Sequence, residues 1–351
     1  MNKILVTGGC GYIGAHTIVD LLEHGYEVIS IDDNSRSSTF LLEGIEKITG
    51  KRIKNYQVDL KNFDETLAVF QENENINGII HFAAYKAVGE SVEEPLLYYE
   101  NNLFSLINIL KCTKEFNIPY FVFSSSCTVY GNPDSIPVTE ASPVKKAESP
   151  YGATKQMAEV IVEDYTKASN CKAILLRYFN PVGAHPSTLI GEMPLGKPQN
   201  LVPAITQCAI GKIKEMIVYG DDYPTRDGSC VRDYIHVCDI ANAHTLALEF
   251  LINKKNKIPC EVFNLGSGNG ITVLEAIKTF EKVSGRKLNY KIGPRRPGDV
   301  IAIYANNDFA KSALNWKIKY DLDDMLLTAW NWEIKIKKDE ELITAQNHIL
   351  N

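Results

Sequence analysis

Short runs of apolar residues alternate with longer amphipathic segments through the first half of the chain. The apolar runs predict strands at Lys3–Val6, Glu27–Ile31, Ile53–Val58, Gly78–Phe82, Tyr120–Ser124 and Ala173–Arg177. Their apolar residues are continuous, as expected for parallel strands buried on both faces. Helical periodicity lies between them, at Tyr12–Glu23, Phe40–Thr49, Asp64–Gln71, Leu96–Phe116 and Tyr151–Ser169. This alternation predicts βαβ crossovers and an α/β fold with a doubly wound parallel sheet.

The pattern changes after about Asn180, where prolines and glycines interrupt the chain repeatedly. Shorter elements are predicted beyond this point at Glu215–Tyr219, Glu261–Leu265, Val273–Ser284 and Lys287–Ile292. We therefore predict a main domain over residues 1–180 and a smaller mixed α/β C-terminal lobe over residues 181–351. A strand near Ile235–Val237 or Val262–Asn264 is expected to return to the main sheet.

Composition and charge exclude several classes of protein. The 37 basic and 43 acidic residues give a formal net charge of −6, which argues against a nucleic-acid partner. The sequence has neither an apolar run of about 18 residues nor a secretory leader, so we expect a cytoplasmic protein without a membrane partner. Its eight cysteines form no CxxC pair and its seven histidines form no HxH or HxxxH pair, so we expect neither a disulfide framework nor a metal site.

A glycine-rich segment separates the first predicted strand from the first predicted helix. Gly8, Gly11 and Gly14 form GxxGxxG, a variant of the dinucleotide fingerprint of Rossmann domains. One glycine makes the tight turn, one lets the backbone approach a pyrophosphate, and one lets the helix pack on the strand. The helix N-terminus offers amide donors and the positive end of its dipole to the phosphates.

Acidic residues follow the second predicted strand and indicate which dinucleotide binds. The carboxylate of Asp32 is suited to the adenosine ribose hydroxyls, and it repels a 2′-phosphate. NAD is therefore favoured over NADP. Arg36 is the one residue that argues the other way, and Asp32 and Asp33 outweigh it.

A tyrosine and a lysine begin a predicted helix four residues apart. Tyr151 and Lys155 share a face of this helix, so that the phenol and the ammonium point the same way. A phenol with a pKa near 10 is a poor base at neutral pH, and a nearby cation favours its ionised form. Ser124–Thr128 lies at the carboxyl end of a predicted parallel strand, where such sheets bind ligands. A hydroxyl there can share a substrate proton with Tyr151.

The motifs together resemble one enzyme family. The segments TGGCGYIGAHT, HFAAYKAVGESV, SSSCTVYG, SPYGATK, LRYFNPVGAHP, YPTRDGSCVRDYIHV and NLGSGNG resemble UDP-glucose 4-epimerases of the extended short-chain dehydrogenase/reductase superfamily, from about Asn2 to Trp332. The resemblance implies interconversion of UDP-glucose and UDP-galactose by transient oxidation at the hexose C4, with NAD tightly bound and no net redox change. By analogy it also implies a homodimer formed through helices Leu96–Phe116 and Tyr151–Ser169.

The resemblance assigns roles residue by residue. Tyr151 would accept and return the proton of the 4-hydroxyl, Lys155 would lower its pKa, and Ser126 would hydrogen-bond near O4. The residues expected to bind the cofactor are Gly8, Gly11, Tyr12, Ile13, Gly14, Asp32, Asp33, Asn34, Ser35, Arg36, Ser37, Asp59, Leu60, Phe82, Ala83, Ala84, Lys86, Asn101, Ser124, Tyr151, Lys155 and Phe179. Those expected to bind the UDP-sugar are Lys86, Ser126, Thr128, Tyr151, Asn180, Asn200, Leu201, Ile217, Tyr219, Arg232, Arg296, Asp299 and Ile303.

The chain departs from the family pattern at a few positions. Ala84-Tyr85 stands where the family often has Gly-Leu, and Asp33 replaces a frequent asparagine. Ile303 occupies the position at which the family's tyrosine restricts the pocket to UDP-glucose and UDP-galactose, whereas cysteine or serine admits N-acetylhexosamines. Isoleucine is stiff at χ1 but smaller than tyrosine. We expect a preference for the unsubstituted pair.

Three other functions agree less well with the sequence than the epimerase does. A sugar-nucleotide 4,6-dehydratase would need an acid–base pair, typically Asp-Glu, where this chain has Cys127 and Thr128. A UDP-glucuronate epimerase or decarboxylase would need an extra cation for the sugar carboxylate, and none is evident. A cofactor-binding regulator without activity would be expected to lack Tyr151 or Lys155, and this chain keeps both.

Overall fold

The computed structural model describes residues 2–196, 198–296 and 300–349, with side chains through residue 342. Its strands are β1 (Lys3–Thr7), β2 (Glu27–Ile31), β3 (Lys54–Tyr56), β4 (Ile76–His81), β5 (Tyr120–Ser126), β6 (Lys172–Tyr178), β7 (Asn180–Val182), β8 (Met216–Tyr219), β9 (Val231–His236), β10 (Cys260–Leu265), β11 (Gly270–Thr272) and β12 (Tyr290–Gly293). Its helices are α1 (Tyr12–Glu23), α2 (Phe40–Thr49), α3 (Phe63–Glu72), α4 (Val88–Glu93), α5 (Pro95–Glu115), α6 (Pro150–Lys167), α7 (Leu201–Ala209), α8 (Val237–Ile252), α9 (Val273–Ser284), α10 (Asp308–Leu314) and α11 (Leu322–Ile349). None of the described helices is both long and apolar enough to cross a membrane.

Seven strands form one large parallel sheet in the order β10-β6-β5-β4-β1-β2-β3. The three consecutive residues Ile4, Leu5 and Val6 of the interior strand β1 are fully buried, since helices cover both faces of the sheet. The chain reverses its direction of winding between β1 and β4. In open α/β sheets this switch point, at the carboxyl ends of the strands, is where ligands bind.

The region after β6 adds two small sheets and then rejoins the large one. Strand β9 pairs in parallel with β7 and antiparallel with β11, and β8 pairs with β12. Strand β10 then lies in parallel register with β6 at one edge of the seven-stranded sheet. Helix α8 packs against α1 and over β5 and β6. The chain therefore leaves the large sheet after β6 and returns to it.

Four apolar clusters hold these layers together. Two of them cover the opposite faces of the large sheet, and a third lies between α7, α9 and α11 in the C-terminal part. The fourth is small and joins the two parts of the chain: its buried members are Val129, Tyr130, Val138, Phe179, Ile303 and Ala305. Residues from the large sheet and from the segment after β12 thus share one apolar contact region beside the carboxyl end of β5.

Candidate active site

The turn between β1 and α1 is built around glycines. Gly8 has a φ of +71°, in the left-handed region, and a Cβ there would lie 2.9 Å from the backbone nitrogen of Ala83. A Cβ at Gly14 would lie 2.2 Å from the carbonyl oxygen of Gly8. Gly8 requires glycine because of its φ and the neighbouring Ala83 backbone, and Gly14 requires it because the first turn of α1 lies directly on the loop.

The N-terminus of α1 suits an anion. Gly11 is the N-cap residue and supplies no side-chain cap to the N–H groups of the first turn, which contains Tyr12, Ile13 and Gly14. The Tyr12 hydroxyl is directed away, donating to the carbonyl oxygen of Gly183 at 2.6 Å. Backbone donors at a helix N-terminus, next to glycines that leave room for close approach, fit the pyrophosphate of a dinucleotide.

Asp32 lies nearly buried at the carboxyl end of β2. Its carboxylate accepts hydrogen bonds from the N–H groups of Cys10 and Asn34, both at 3.0 Å, and from the Ser37 hydroxyl at 2.6 Å. Burial raises the pKa of Asp32, and these three hydrogen bonds oppose that rise. An acceptor held in place at this point fits the ribose hydroxyls of a dinucleotide.

The rest of the loop after β2 shows what holds Arg36, the residue that argues for NADP in the sequence. Asp33 accepts the N–H and the hydroxyl of Ser35 at 2.9 and 2.7 Å. Arg36 donates two hydrogen bonds to the carboxylate of Glu90, at 2.7 and 2.8 Å. The positive charge of Arg36 is therefore paired with a carboxylate of the chain.

Asp59 and Leu60 follow β3, the strand next to β2. The Asp59 carboxylate accepts the N–H of Lys61 at 2.9 Å, while Leu60 is buried and its carbonyl oxygen accepts the side-chain amide of Asn108 at 2.9 Å. Both residues therefore lie at the carboxyl edge of the sheet, one strand beyond Asp32. We call the surface along this edge, from Asp59 past Asp32 to Ala83, the groove.

The segment after β4 forms the opposite side of the groove. The ring of Phe82 lies 4.6 Å from that of His244, and the Ala83 N–H donates to the hydroxyl of Thr7 at 3.3 Å. Ala84 is half-buried and Lys86 is exposed. The backbone of this segment lies against the glycine turn, since a Cβ at Gly8 would lie 2.9 Å from the nitrogen of Ala83.

Two asparagines of α5 connect this segment with α6. The amide of Asn101 donates to Asn102 at 3.1 Å. Asn102 in turn donates to the carbonyl oxygen of Tyr85 and to the Thr154 hydroxyl, both at 3.1 Å. Asn101 thus supports the groove through Asn102.

Tyr151 and Ser126 meet at the carboxyl end of β5. Helix α6 begins with Pro150 and is capped by the Ser149 hydroxyl, which accepts the N–H of Gly152 at 3.1 Å. This cap fixes Tyr151 in the first turn, where the Ser126 hydroxyl lies close enough to its phenol to lower the pKa of the phenol. The two hydroxyls therefore stand together at the edge of the sheet where such folds bind ligands.

Lys155 lies one turn further along α6. Its ammonium donates to the carbonyl oxygen of Ser124 at 2.6 Å and lies 5.9 Å from the ring centroid of Tyr151. The Ser124 hydroxyl is 2.5 Å from that of Tyr178. Tyr178 was not singled out from the sequence, because it directly follows the predicted strand Ala173–Arg177 and no spacing marks it.

Burial dominates the electrostatics of this group. It raises the pKa of Tyr151 well above the ordinary value, and the hydrogen bond with Ser126 opposes that rise. It also lowers the pKa of Lys155 to about 7, against the attraction of Glu159, which raises it. Burial likewise raises the pKa of Tyr178 to about 12. A phenol in this setting ionises near neutral pH only when further positive charge stands beside it.

A buried ion pair between Glu159 and Arg177 supports the serine-rich end of β5. The Glu159 carboxylate accepts two hydrogen bonds from Arg177, at 2.9 and 2.6 Å, and one from the Ser125 hydroxyl at 2.5 Å. Arg177 also donates to the hydroxyl of Tyr130 at 3.1 Å. Glu159 was missed from the sequence, although its place four residues after Lys155 was a signal.

On the substrate side, Glu192 connects residues from distant segments. Its carboxylate accepts the ammonium of Lys86 at 3.1 Å and the amide of Asn200 at 3.0 Å. Asn200 is also the N-cap residue of α7, in which Leu201 is the first residue. The structure thus brings Lys86 and Asn200 together, through an acid that the sequence analysis did not single out.

A second group surrounds strand β9. The amide of Asn180 donates to the carbonyl oxygen of Asp233 at 2.9 Å, beside Arg232. Arg232 donates to the carbonyl oxygen of Val300 at 2.6 Å. The Asp233 carboxylate is fully buried and accepts hydrogen bonds from Ser267, Gly268 and Ala305.

The remaining substrate candidates fall into three places. The guanidinium of Arg296 lies 5.5 Å from the ring centroid of Tyr219, and Ile217 lies partly exposed on the same strand, β8. Ile303 is buried in the small apolar cluster that also contains Phe179. Asp299 lies outside the described residues.

Cys127 and Thr128 open a short 3₁₀ helix directly after β5. Burial raises the pKa of Cys127 to about 12, so that its thiol is neither an acid nor a base near neutral pH. The Thr128 hydroxyl oxygen is buried and has no hydrogen-bond partner among the described residues. Within the described ranges, no three His, Cys, Asp or Glu side chains are grouped to hold a metal ion.

The parallel sheet, the glycine turn, the acid after β2 and the Ser-Tyr-Lys group define a Rossmann-fold protein of the short-chain dehydrogenase/reductase class. A family model described as GDP-mannose 4,6 dehydratase matches residues 5–328. The chain is 50% identical over 321 residues to a UDP-glucose 4-epimerase of Schizosaccharomyces pombe, covering 90% of this chain and 89% of that protein.

Two solved structures agree with this similarity. The UDP-glucose 4-epimerase of Bifidobacterium longum, in complex with NAD⁺ and UDP, superposes with a TM-score of 0.91 at 47% identity, covering 95% of this chain and 98% of that one. The enzyme of Stenotrophomonas maltophila, with bound NAD and a formylated UDP-arabinopyranose, gives a TM-score of 0.93 at 42% identity over 97% and 100% of the two chains. The chain belongs to the UDP-glucose 4-epimerase family.

Proposed function

We propose that the protein interconverts UDP-glucose and UDP-galactose by transient oxidation at the hexose C4. The observation that carries this proposal is the contact between Tyr151 and Ser126 at the carboxyl end of β5, with Lys155 beside it. Proton exchange at a carbinol needs such a hydroxyl pair. Family membership supplies the substrate class, since the relatives are epimerases of UDP-sugars.

Residues 1–180 would hold the cofactor, NAD, and residues 181–351 would hold most of the UDP-sugar. The glycine turn and the first turn of α1 would receive the pyrophosphate, and Asp32 would accept the adenosine ribose hydroxyls. When bound, NAD supplies an acceptor for the C4 hydrogen, together with a positively charged ring. The segment Phe82–Lys86 and Phe179 would enclose it.

The chain's own residues move the proton. Tyr151 takes the proton of the 4-hydroxyl and gives it back, and Ser126 holds the same oxygen by a hydrogen bond. Because burial raises the pKa of Tyr151, positive charge is needed to make the phenol a base, and the Lys155 ammonium is one source of it. Ser124 fixes the ammonium in place through its carbonyl oxygen.

The substrate candidates then have distinct tasks. Arg232 and Arg296 suit a diphosphate, because a guanidinium is permanently charged and binds oxygens in pairs. Asn180 and Asn200 would bind the sugar nucleotide beside them, and Tyr219 and Ile217 would contact the uridine side. The buried Thr128 hydroxyl, which has no protein partner among the described residues, is suited to a sugar hydroxyl.

A dehydratase shares this fold and the Tyr-Lys pair, as the family model's description reflects. Eliminating water from the sugar requires an acid and a base beside the 4-keto intermediate. The Cys127 thiol, whose pKa burial raises to about 12, and the Thr128 hydroxyl can serve as neither. The site therefore favours epimerisation.

One experiment tests the proposal directly. Purified protein is incubated with UDP-galactose without added nucleotide, and the products are separated by chromatography and weighed by mass spectrometry. We expect UDP-glucose, equal in mass to the substrate, and NAD released from the protein by denaturation. A product lighter by one water would identify a dehydratase. Protein without nicotinamide nucleotide that acts only after NADPH is added would overturn the assignment of Asp32.

The proposal includes a cytoplasmic homodimer. Helices α5 and α6 pack on each other and leave Leu96, Phe104, Met157 and Val160 substantially exposed. Apolar side chains on two adjacent helices form the kind of surface that a second copy covers. All eight cysteines are free, as is usual in a reducing compartment. Sedimentation of the protein and of a Leu96→Glu/Phe104→Glu variant measures the oligomeric state; a monomeric unsubstituted protein would contradict the dimer.

A further inference from the structure

Arg36 and Tyr85 contact each other at the cofactor groove. The guanidinium carbon of Arg36 lies 4.2 Å from the ring centroid of Tyr85, in stacking distance. Tyr85 belongs to the pair Ala84-Tyr85, where the family often has Gly-Leu. Arg36 is the residue whose charge argues for a 2′-phosphate. The structure thus joins two features of the sequence that the proposed reaction does not use.

Glu90 and Tyr98 complete this group. Arg36 donates two parallel hydrogen bonds to the Glu90 carboxylate, at 2.7 and 2.8 Å. The Tyr98 hydroxyl donates to the same carboxylate at 2.6 Å and accepts the Ala87 N–H at 3.0 Å. The rings of Tyr85 and Tyr98 meet edge to face at 5.8 Å. We refer to Arg36, Tyr85, Glu90 and Tyr98 as the strap.

The order of the strands determines where the strap lies. Arg36 is in the loop that follows β2, whereas Tyr85 and Glu90 are in the segment that follows β4. Strand β1 lies between β2 and β4 in the sheet. A contact between the two segments at the carboxyl ends of their strands therefore crosses above the end of β1, where the Gly8–Gly14 turn is found.

The strap is stronger than an ordinary exposed ion pair. Isolated surface pairs contribute little, because solvent screens them and two flexible side chains must be ordered. Here the guanidinium is held by two hydrogen bonds and by an aromatic face, and the carboxylate has a further donor in the buried Tyr98. The Arg36 hydrogen bond also holds the pKa of Glu90 below its ordinary value, so that the pair is ionised at neutral pH.

We propose that the strap closes the groove over bound NAD, slows its release, and withholds Arg36 from the 2′-phosphate of NADP. This inference rests on the proposed function, because a reaction without net redox change must keep the same cofactor through each cycle. Held in the strap, Arg36 retains the bound cofactor and does not bind a 2′-phosphate. Glu90, which holds Arg36, thereby favours NAD over NADP.

The test measures exchange of the nucleotide, not turnover. Holoenzyme is mixed with excess isotopically labelled NAD, and mass spectrometry follows the replacement of the bound nucleotide with time. Arg36→Gln is expected to speed this replacement about tenfold, equal to ~1.4 kcal/mol, and Tyr85→Leu to speed it several-fold. Arg226→Gln is the matched control, because Arg226 forms the same kind of two-bond pair with Glu275 in the C-terminal part. It should exchange at the unsubstituted rate.

Arg36→Lys keeps the charge but loses the fork, so it should behave like Arg36→Gln if pairing and stacking hold the strap. Glu90→Gln leaves the guanidinium without its carboxylate, and NADP should then displace labelled NAD about tenfold more effectively. Holoenzyme variants that exchange NAD at the unsubstituted rate would overturn retention, and an unchanged NADP displacement in Glu90→Gln would overturn the specificity role. Unsubstituted protein that carries no nicotinamide nucleotide would instead overturn the proposed function.

Discussion

The cofactor side and the substrate side of the site are built in different ways. On the cofactor side, Gly8, Asp32, Ala83 and Ser124 all lie at the carboxyl ends of strands in one parallel sheet. On the substrate side, the candidates come from short strands and loops that have no common sheet. Tyr219 ends β8 of one small sheet, for example, whereas Arg232 lies on β9 of the other.

The difference teaches how each side is held in place. Sheet hydrogen bonds and buried helix faces hold the cofactor-side residues in place. Each of them therefore needs little further support, such as one helix cap or one close contact at a glycine. The second group depends on single polar anchors. Asp233 is the main example: its buried carboxylate accepts four hydrogen bonds from Ser267, Gly268 and Ala305. We expect changes on the cofactor side to affect chemistry, and changes on the substrate side to affect selectivity.

The largest effect is expected from removing the hydroxyl of Tyr151. Tyr151→Phe should lower kcat by about 10²–10⁴-fold, the range that a positioned proton donor or acceptor contributes. Binding of UDP, measured by calorimetry, should be unchanged, because the ring remains. Tyr165→Phe, further along α6, is the control and should keep full activity. A Tyr151→Phe variant with near-normal kcat would show that another group moves the proton.

Loss of the buried Glu159 charge, next to the serine-rich end of β5, should lower the free energy of unfolding far more than loss of an exposed charge does. Glu159→Ala leaves the Arg177 guanidinium buried without its carboxylate, at a cost of about 3–5 kcal/mol in the free energy of unfolding. Urea denaturation measures this. The control is Asp164→Ala, which removes an exposed ion pair with Lys167 and should change stability by less than about 0.5 kcal/mol. Similar losses in both variants would mean that the buried pair is unimportant.

The same acid is expected to set the pH range of activity. Burial lowers the pKa of Lys155 to about 7 and Glu159 raises it, so Glu159→Gln should lower that pKa further. An ammonium loses its proton as pH rises through its pKa. The alkaline fall in kcat should therefore move to lower pH in Glu159→Gln. Glu163→Gln, one turn along the helix, should leave the pH profile of kcat in place, and an unmoved alkaline limb in Glu159→Gln would separate Glu159 from Lys155.

The smallest effect is expected on the substrate side, at Ile303. The unsubstituted enzyme should prefer UDP-glucose and UDP-galactose over their N-acetylated counterparts. Ile303→Ser should raise the ratio of kcat/KM for the N-acetylated pair to that for the plain pair by about tenfold, as expected when a few carbons leave a pocket. The ratio is the measurement, because truncation of a buried isoleucine also destabilises the fold. Ile303→Val should change this ratio little. An unchanged ratio in Ile303→Ser would show that Ile303 does not select between the two substrate pairs.

Much of the cofactor side could be predicted from the sequence, because its signals are local. The bounds of α1, α2 and β2 agree with the apolar pattern, and the glycines, Asp32 and the Tyr-Lys pair each follow a strand or begin a helix. The seven-stranded parallel sheet and the membership of the epimerase family confirm the predicted fold class and the stated resemblance.

The remainder depends on contacts between distant parts of the chain. Helix α8 was not predicted, because it is buried nearly all round and has no polar face to mark its period. Glu192 and Asp233 gain their roles only from partners far along the chain, and no spacing reveals such partners. Glu90 likewise pairs with Arg36 across a strand. The individual roles of the site residues remain predictions.

The return of strand β10 to the edge of the large sheet has a consequence for synthesis. Strand β6 is complete at Tyr178, but its partner ends only at Leu265, so one side of β6 lacks its backbone hydrogen bonds while the intervening residues are made. An unpaired apolar edge can pair with other chains. Until Leu265 has been made, the apolar edge of β6 is therefore open to pairing with another chain.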